Sequence, residues 1–327
     1  MTQTDRAIPV QHAAGDREAA GRDDAADSTS LIVTGGLRAF FRLASGAPWA
    51  LNLFRPLGVR LAVLFCRPLR TATVANATRI FGRRLSRREQ ATFTRDVVAS
   101  FYAFVADTAR SAGLSREALA ARVANVVGEP RYLRERQAGR GAVLVTAHMG
   151  TFEVGLAALR GREPNVHVVF KRDPFPAFER LRSSVRTILG VHEAPIDDGW
   201  ASLVRLRDAL LQDGVVVMQG DRAMPGQRSQ VVPMLHGHVR LPTGPVKLAQ
   251  LTGSPIVPVF VVRAGRGQYD VHLCEPIHVG SNADDSADHV RIALLAIAGQ
   301  IGAFVARYPE QWLVLEPAFT EDEQRAD

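Results

Sequence analysis

Five short apolar runs, at residues 142–147, 166–170, 214–219, 256–262 and 269–274, alternate with stretches of helical spacing at 152–160, 176–188, 200–212, 243–252 and 286–307. The runs have strand length and are rich in valine. A continuous apolar strand needs cover on both faces, and interleaved helices supply it. The predicted fold is therefore α/β, with a mixed central sheet flanked by helices. Upstream, Ser86-Arg-Arg-Glu89 has the form of a capping box. It opens a predicted helix through about Ala112, with Phe93, Val97, Val98, Phe101, Phe104 and Val105 at helical spacing. Shorter helices are expected from Ser115 and over Tyr132–Gln137.

The partition that follows is a disordered acidic leader over 1–28, an amphipathic helical region over 29–112, an α/β core over 113–318 and an acidic tail over 319–327. Residues 1–28 are net −3 and residues 316–327 net −4, so the part between them carries +14 of the overall +7. Lysine occurs only at Lys171 and Lys247 among the 40 basic residues, so arginine supplies nearly all the cations. Its planar fork suits phosphate and carboxylate. Two cysteines, Cys66 and Cys274, cannot build a disulfide framework and point to a reducing compartment.

Residues 31–88 hold eleven arginines and no Asp or Glu, interleaved with Phe40, Phe41, Trp49, Leu51, Leu53, Phe54, Leu61, Val63, Leu64 and Phe65. The longest uncharged run, Leu43 to Phe54, is too short for a crossing, which takes roughly 20 residues. This is read as a region of helices lying in the membrane interface, with arginines at headgroup level and apolar side chains below. A basic helical surface packed on the core is the plainer reading. Nucleic acid is not expected as a partner, because the stretch is too apolar.

The chemistry concentrates where the first core strand ends, in Thr146-Ala-His-Met-Gly-Thr-Phe-Glu153. His148 is the candidate general base and Glu153 the carboxylate expected to fix its tautomer. Five residues along a continuous helix would turn the two side chains apart. They meet only if His148 lies in a turn and Glu153 in the first helical turn, with Gly150 giving freedom and Thr151 a cap. Lys171 and Arg172, in Phe170-Lys-Arg-Asp-Pro174, together with Arg186 form either an anion clamp or solvated charge. Asp221 and Arg222 follow another buried strand, where α/β proteins place ligands. Thr243 and Gly244, ahead of Pro245, open a helix whose free N–H groups suit an anion or an oxyanion, or simply join a loop to a helix. A metal on Asp221, His236 and His238 lacks a convincing further ligand, so no metal and no cofactor are expected. There is no Walker A motif, no G-x-S-x-G elbow and no G-x-G-x-x-G, which disfavours a serine hydrolase and a nucleotide-binding enzyme.

In order and spacing these blocks resemble the lysophospholipid acyltransferase superfamily, and within it the bacterial lipid A biosynthesis (lauroyl/myristoyl) acyltransferases. The resemblance runs from about residue 35 to 318. It also takes in Arg186-Thr-Ile-Leu-Gly190, Gln219-Gly-Asp-Arg222, Leu241-Pro-Thr-Gly-Pro-Val-Lys-Leu-Ala249, Pro255-Ile-Val-Pro-Val-Phe260 and Tyr308-Pro-Glu-Gln-Trp312. The superfamily uses His with Asp, and the lipid A branch commonly has Glu, as at Glu153. The resemblance implies a membrane-associated O-acyltransferase in which His148 deprotonates an acceptor hydroxyl and Glu153 orients it. The donor would be an acyl thioester of acyl carrier protein or coenzyme A. The acceptor would be a lipid or glycolipid, of lipid A type, at the cytoplasmic face of the inner membrane. Lys171, Arg172, Arg186, Asp221 and Arg222 would line the substrate site. The alternative is a non-catalytic lipid-binding or scaffold protein of the same fold.

Overall fold

A computed structural model describes residues 39, 40, 42, 43, 46–265, 267–280 and 286–323. The acidic leader and the last part of the acidic tail lie outside the described residues. The predicted core strands form as β2 (Ala142–Thr146), β3 (Val166–Phe170), β5 (Val215–Gln219), β8 (Ile256–Arg263) and β9 (Tyr269–Leu273). To these are added β1 (Val123–Val127) and β4 (His192–Pro195). Both are edge strands without a full apolar run, and β4 reads only His-Glu-Ala-Pro. A separate antiparallel hairpin, β6 (Ser229–Met234) and β7 (Gly237–Pro242), was also not expected.

The seven-stranded sheet has the order β1-β9-β8-β2-β5-β3-β4. It is mixed: β8 and β9 are antiparallel, and all other neighbours are parallel. Helices cover both faces. On one lie α4 (Arg116–Ala120), α5 (Glu129–Arg136), α6 (Phe152–Arg160) and α7 (Pro176–Leu189), burying Leu119, Tyr132, Val154, Leu156, Val185 and Leu189 against the sheet. On the other lie α8 (Gly199–Leu211), α9 (Gly244–Thr252) and α10 (Ser286–Arg307), burying Leu206, Val246, Leu248, Leu294 and Ile301. Among the described residues α10 alone is long and apolar enough to cross a membrane. Its Val290, Ala293, Leu294, Ile297, Ile301 and Val305 are buried in the core, as in a central helix of a globular fold.

The arginine-rich region forms α1 (Pro48–Phe65) and α2 (Arg67–Phe81), followed by α3 (Arg87–Ser111). The capping box is present as read: the Ser86 side chain accepts from the Glu89 N–H, and Glu89 accepts from the Ser86 N–H. α1 and α2 both pack on α3. Trp49, Leu53, Leu57, Leu61, Leu64 and Phe65 of α1 are exposed. By contrast, α2 is tied to the C-terminal segment. Buried Asn76 donates to the carbonyls of Val314 and Glu316 and accepts from the Ala318 N–H, and Arg79 pairs with Asp322 at 2.9 Å.

Three backbone groups bond to one amide, and the Val314 carbonyl among them would stay buried and unmet without it. Asn76→Ala is expected to cost about 2 kcal/mol, lowering the melting temperature by roughly 3–4 °C. Calorimetry of the variant checks this; a melting point within a degree of wild type would contradict it.

Candidate active site

The register of two adjacent parallel strands sets the site. Thr146 of β2 lies beside Gln219 of β5. Two residues further on, past both strand ends, are His148 and Asp221. Gly220 carries the chain over: its N–H donates to the Thr146 carbonyl at 2.8 Å, and a side chain there would meet Val145.

Asp221 is fully enclosed and makes three short contacts. Its Oδ1 is 2.7 Å from His148 Nδ1, and its Oδ2 accepts from the His148 backbone N–H at 3.0 Å and from Trp312 Nε1 at 2.8 Å. Burial by itself would push the Asp221 carboxyl up. The facing His148 charge, the bonds from the His148 ring and backbone, and the Trp312 bond outweigh it, and the carboxyl falls to about 2. It is therefore ionised and can only accept hydrogen bonds. The proton in the Nδ1 bond must sit on the imidazole, which leaves the Nε2 lone pair of the neutral ring free. The His148 side chain keeps about a quarter of its surface exposed, so this nitrogen can be reached by a substrate.

The loop around His148 is fixed on several sides. The His148 carbonyl accepts from the Leu313 N–H at 2.7 Å, and Met149 bridges to Trp312. Gly150 has φ +58°, and a Cβ there would lie 2.1 Å from the Val261 carbonyl oxygen, so only glycine fits. Thr151 precedes α6 in the cap position, yet its side chain makes no cap bond; the hydroxyl donates to Tyr269 instead.

Glu153 does lie in the first turn of α6, as expected, but it is not the partner of the histidine. It is buried, with Arg182 of α7 3.4 Å away. Once the turn at Gly150 has brought His148 over the strand ends, the helix carries Glu153 toward α7. Asp221, from a strand far off in sequence, takes the orienting position. An apolar cavity of about 40 Å³ begins at Thr146, Phe152 and Gly155, beside the same loop. It runs between α6 and the sheet past Leu144, Val217 and Val261 to Tyr132 and Leu159.

A family model described as bacterial lipid A biosynthesis acyltransferase matches residues 30–321. The chain belongs to this family. A phosphatidylinositol mannoside acyltransferase of Mycolicibacterium smegmatis is 29% identical over 195 residues, which cover 58% of this chain and 61% of that protein. The phosphatidylinositol mannoside acyltransferase of Mycobacterium tuberculosis is 27% identical over 188 residues, covering 57% and 56%. The chain thus spans about 60% of the length of the curated relatives it matches.

The remaining expected site residues of this lipid A acyltransferase family member divide into three groups. Lys171 and Arg172 are exposed at the end of β3, and Arg172 lies 3.4 Å from Asp198. Arg222, beside Asp221, is partly exposed and paired with Glu316. Arg186 is not an anion clamp. It is buried, bonded to Glu179 at 2.5 Å and Glu193 at 2.6 Å, with its guanidinium 3.9 Å above the Phe170 ring. Thr243 does not cap α9 either, since its N–H and hydroxyl both donate to the Arg228 carbonyl; Gly244 is exposed at the start of that helix. Nothing in the sequence around Trp312 points to its bond with Asp221. Its signal was weak, an aromatic closing the Tyr308–Trp312 block. Among the described residues no cluster of three metal-ligating side chains occurs.

The Asp221 carboxyl lies below its ordinary value in the folded state. Its contribution to stability is therefore complete above about pH 4 and is lost as the pH falls toward about 2. Asp221→Asn has no such group to titrate. Its stability deficit relative to wild type, read by urea unfolding, should narrow over that pH window. A deficit that stays constant would mean that the carboxyl is not held ionised by its partners.

Proposed function

We propose that this protein transfers a fatty acyl chain from an acyl thioester to a hydroxyl of a lipid or glycolipid, with His148 as general base and Asp221 as its orienting carboxylate. The observation that carries the reading is the His148–Asp221–Trp312 arrangement at the strand ends, with Nδ1 committed to the carboxylate and the His148 side chain about a quarter exposed. Nε2 takes the proton of the acceptor hydroxyl as its oxygen attacks the thioester carbonyl. The C–O bond forms and a tetrahedral oxyanion results. The carbonyl reforms, the C–S bond breaks, and the thiolate leaves with the proton returned by the imidazolium. The products are an ester and a free thiol. Asp221 stabilises the imidazolium while it exists, and Trp312 keeps the carboxylate aimed. No acyl-enzyme is required.

The acceptor class is supported by the family, lipid A biosynthesis, and by relatives named for a phosphatidylinositol mannoside. Both are glycolipids, and a glycolipid hydroxyl is the acceptor we favour. The donor is a thioester of acyl carrier protein or coenzyme A, and exposed Lys171 and Arg172 at the rim suit the anionic groups of either. Attachment is peripheral, through α1, at the cytoplasmic face of the inner membrane. Exposed Trp49, Leu53, Leu57, Leu61 and Leu64, on a helix that carries arginines and no acids, have the composition of an interfacial helix.

His148→Ala should lower acyl transfer by roughly 10²–10⁴-fold with the fold intact. Lipid mass spectrometry of cells carrying it in place of wild type should show one glycolipid lighter by one acyl chain. Wild-type-like turnover in this variant would refute the mechanism. A purified wild-type protein that binds vesicles yet transfers from neither donor would favour a lipid-binding role instead. For the membrane, replacing Leu53, Leu57, Leu61 and Leu64 with Ser should weaken flotation with phosphatidylglycerol-containing vesicles by at least about tenfold. Unchanged flotation would rule out α1 as the anchor.

A further inference from the structure

From the loop between β2 and α6 a second buried polar chain runs to α3, and the reaction as written does not use it. The Thr151 hydroxyl donates to the Tyr269 hydroxyl at 2.7 Å, and the Tyr269 hydroxyl donates to Asp107 Oδ2 on α3. Thr151 and Tyr269 are completely buried and Asp107 nearly so. The chain ends on a firm anchor, because Asp107 also receives Arg110 at 2.8 Å, Arg122 at 3.1 Å and Arg263 at 2.7 Å. Burial would raise the Asp107 carboxyl, but Arg263, the Tyr269 hydroxyl and Arg122 hold it below its ordinary value.

Thr151 stands at the helix start, between His148 and Glu153. A threonine there ordinarily bonds a free N–H of its own helix. Here the hydroxyl is directed to Tyr269, from a strand on the far side of β8, and through it to a helix outside the α/β layers. The neighbouring positions are fixed from the other flank: the Arg263 N–H donates to Gln311 at 2.8 Å, and Gln311 precedes Trp312, which bonds Asp221. Arg263 therefore joins the Asp107 anchor to the Trp312 side of the site.

We propose that Thr151, Tyr269 and Asp107 are positioning residues for His148. They clamp the helix start, as Asp221 and Trp312 hold the imidazole. The inference rests on His148 being the reactive base, but its test needs no substrate, so the two can fail separately. A fixed reactive geometry is worth much in rate, since a misplacement of about 1 Å costs on the order of 10²-fold.

The measurement is the rate at which diethyl pyrocarbonate modifies His148, read by peptide mass spectrometry of the full-length protein, with the other histidines as internal controls. Thr151→Val keeps the shape and removes the hydroxyl, Thr151→Ser keeps the hydroxyl, and Tyr269→Phe removes its partner. Thr151→Val and Tyr269→Phe should each raise the His148 rate several-fold without moving the other histidines, and Thr151→Ser should match wild type. The double variant Thr151→Val with Tyr269→Phe should be no worse than either single one, because both break the same chain. An unchanged His148 rate in Thr151→Val overturns the proposal, as do effects that multiply in the double variant or a rise shared by all histidines. Should Tyr269→Phe fail to fold, the comparison of Thr151→Val with Thr151→Ser decides by itself.

Discussion

The candidate active site depends on one buried carboxylate. Asp221 is fully enclosed, and an unpaired charge in that position would be very costly. Three donors make it tolerable: the His148 ring, the His148 backbone and the Trp312 indole. Each donor is fixed in turn. The two halves of His148 bind opposite oxygens of one carboxylate, so the residue has little freedom to turn. Trp312 is brought in by the C-terminal segment, which is itself held by Asn76 of α2. The charge that organises the site thus also draws the N-terminal helices and the C-terminal segment onto the sheet.

A base needs one nitrogen free and the other committed. The ionised Asp221 requires a proton on Nδ1 and leaves Nε2 open, which is the state a hydroxyl deprotonation calls for. Around it, Lys171 and Arg172 stand exposed at the end of β3, and Arg222 after β5 is paired with Glu316. The exposed apolar side chains of α1 lie outside this core on a helix packed against α3. α3 also carries Asp107, so the helix that supports the candidate membrane element is bonded through Tyr269 to Thr151 in the loop after His148.

Much of the fold was legible because local patterns decided it. The five core strands and the helices between them follow from apolar runs, spacing and caps, and Ser86–Glu89 forms the box its residues spell out. The strands that were missed, β1, β4 and the β6–β7 hairpin, lie at edges or outside the main sheet, where one-sided burial leaves a weaker pattern. The site was legible in its contents more than in its pairings. His148 and Asp221 were both singled out, but the imidazole was assigned to Glu153 because that carboxylate is near in sequence. Arg186 looked like a ligand and is an internal ion-pair partner, because a cation on a helix facing two acids satisfies them first.

The sequence by itself determined the five core strands with their helices, the family and the candidate histidine, since each is written in contiguous residues or in ordered blocks. Only the tertiary structure decided which carboxylate serves that histidine. The insertion of β5 beside β2, in a register that sets Thr146 against Gln219, places Asp221 opposite His148 across 73 residues of chain. Strand order and register arise from packing of the whole sheet, and no local pattern encodes them.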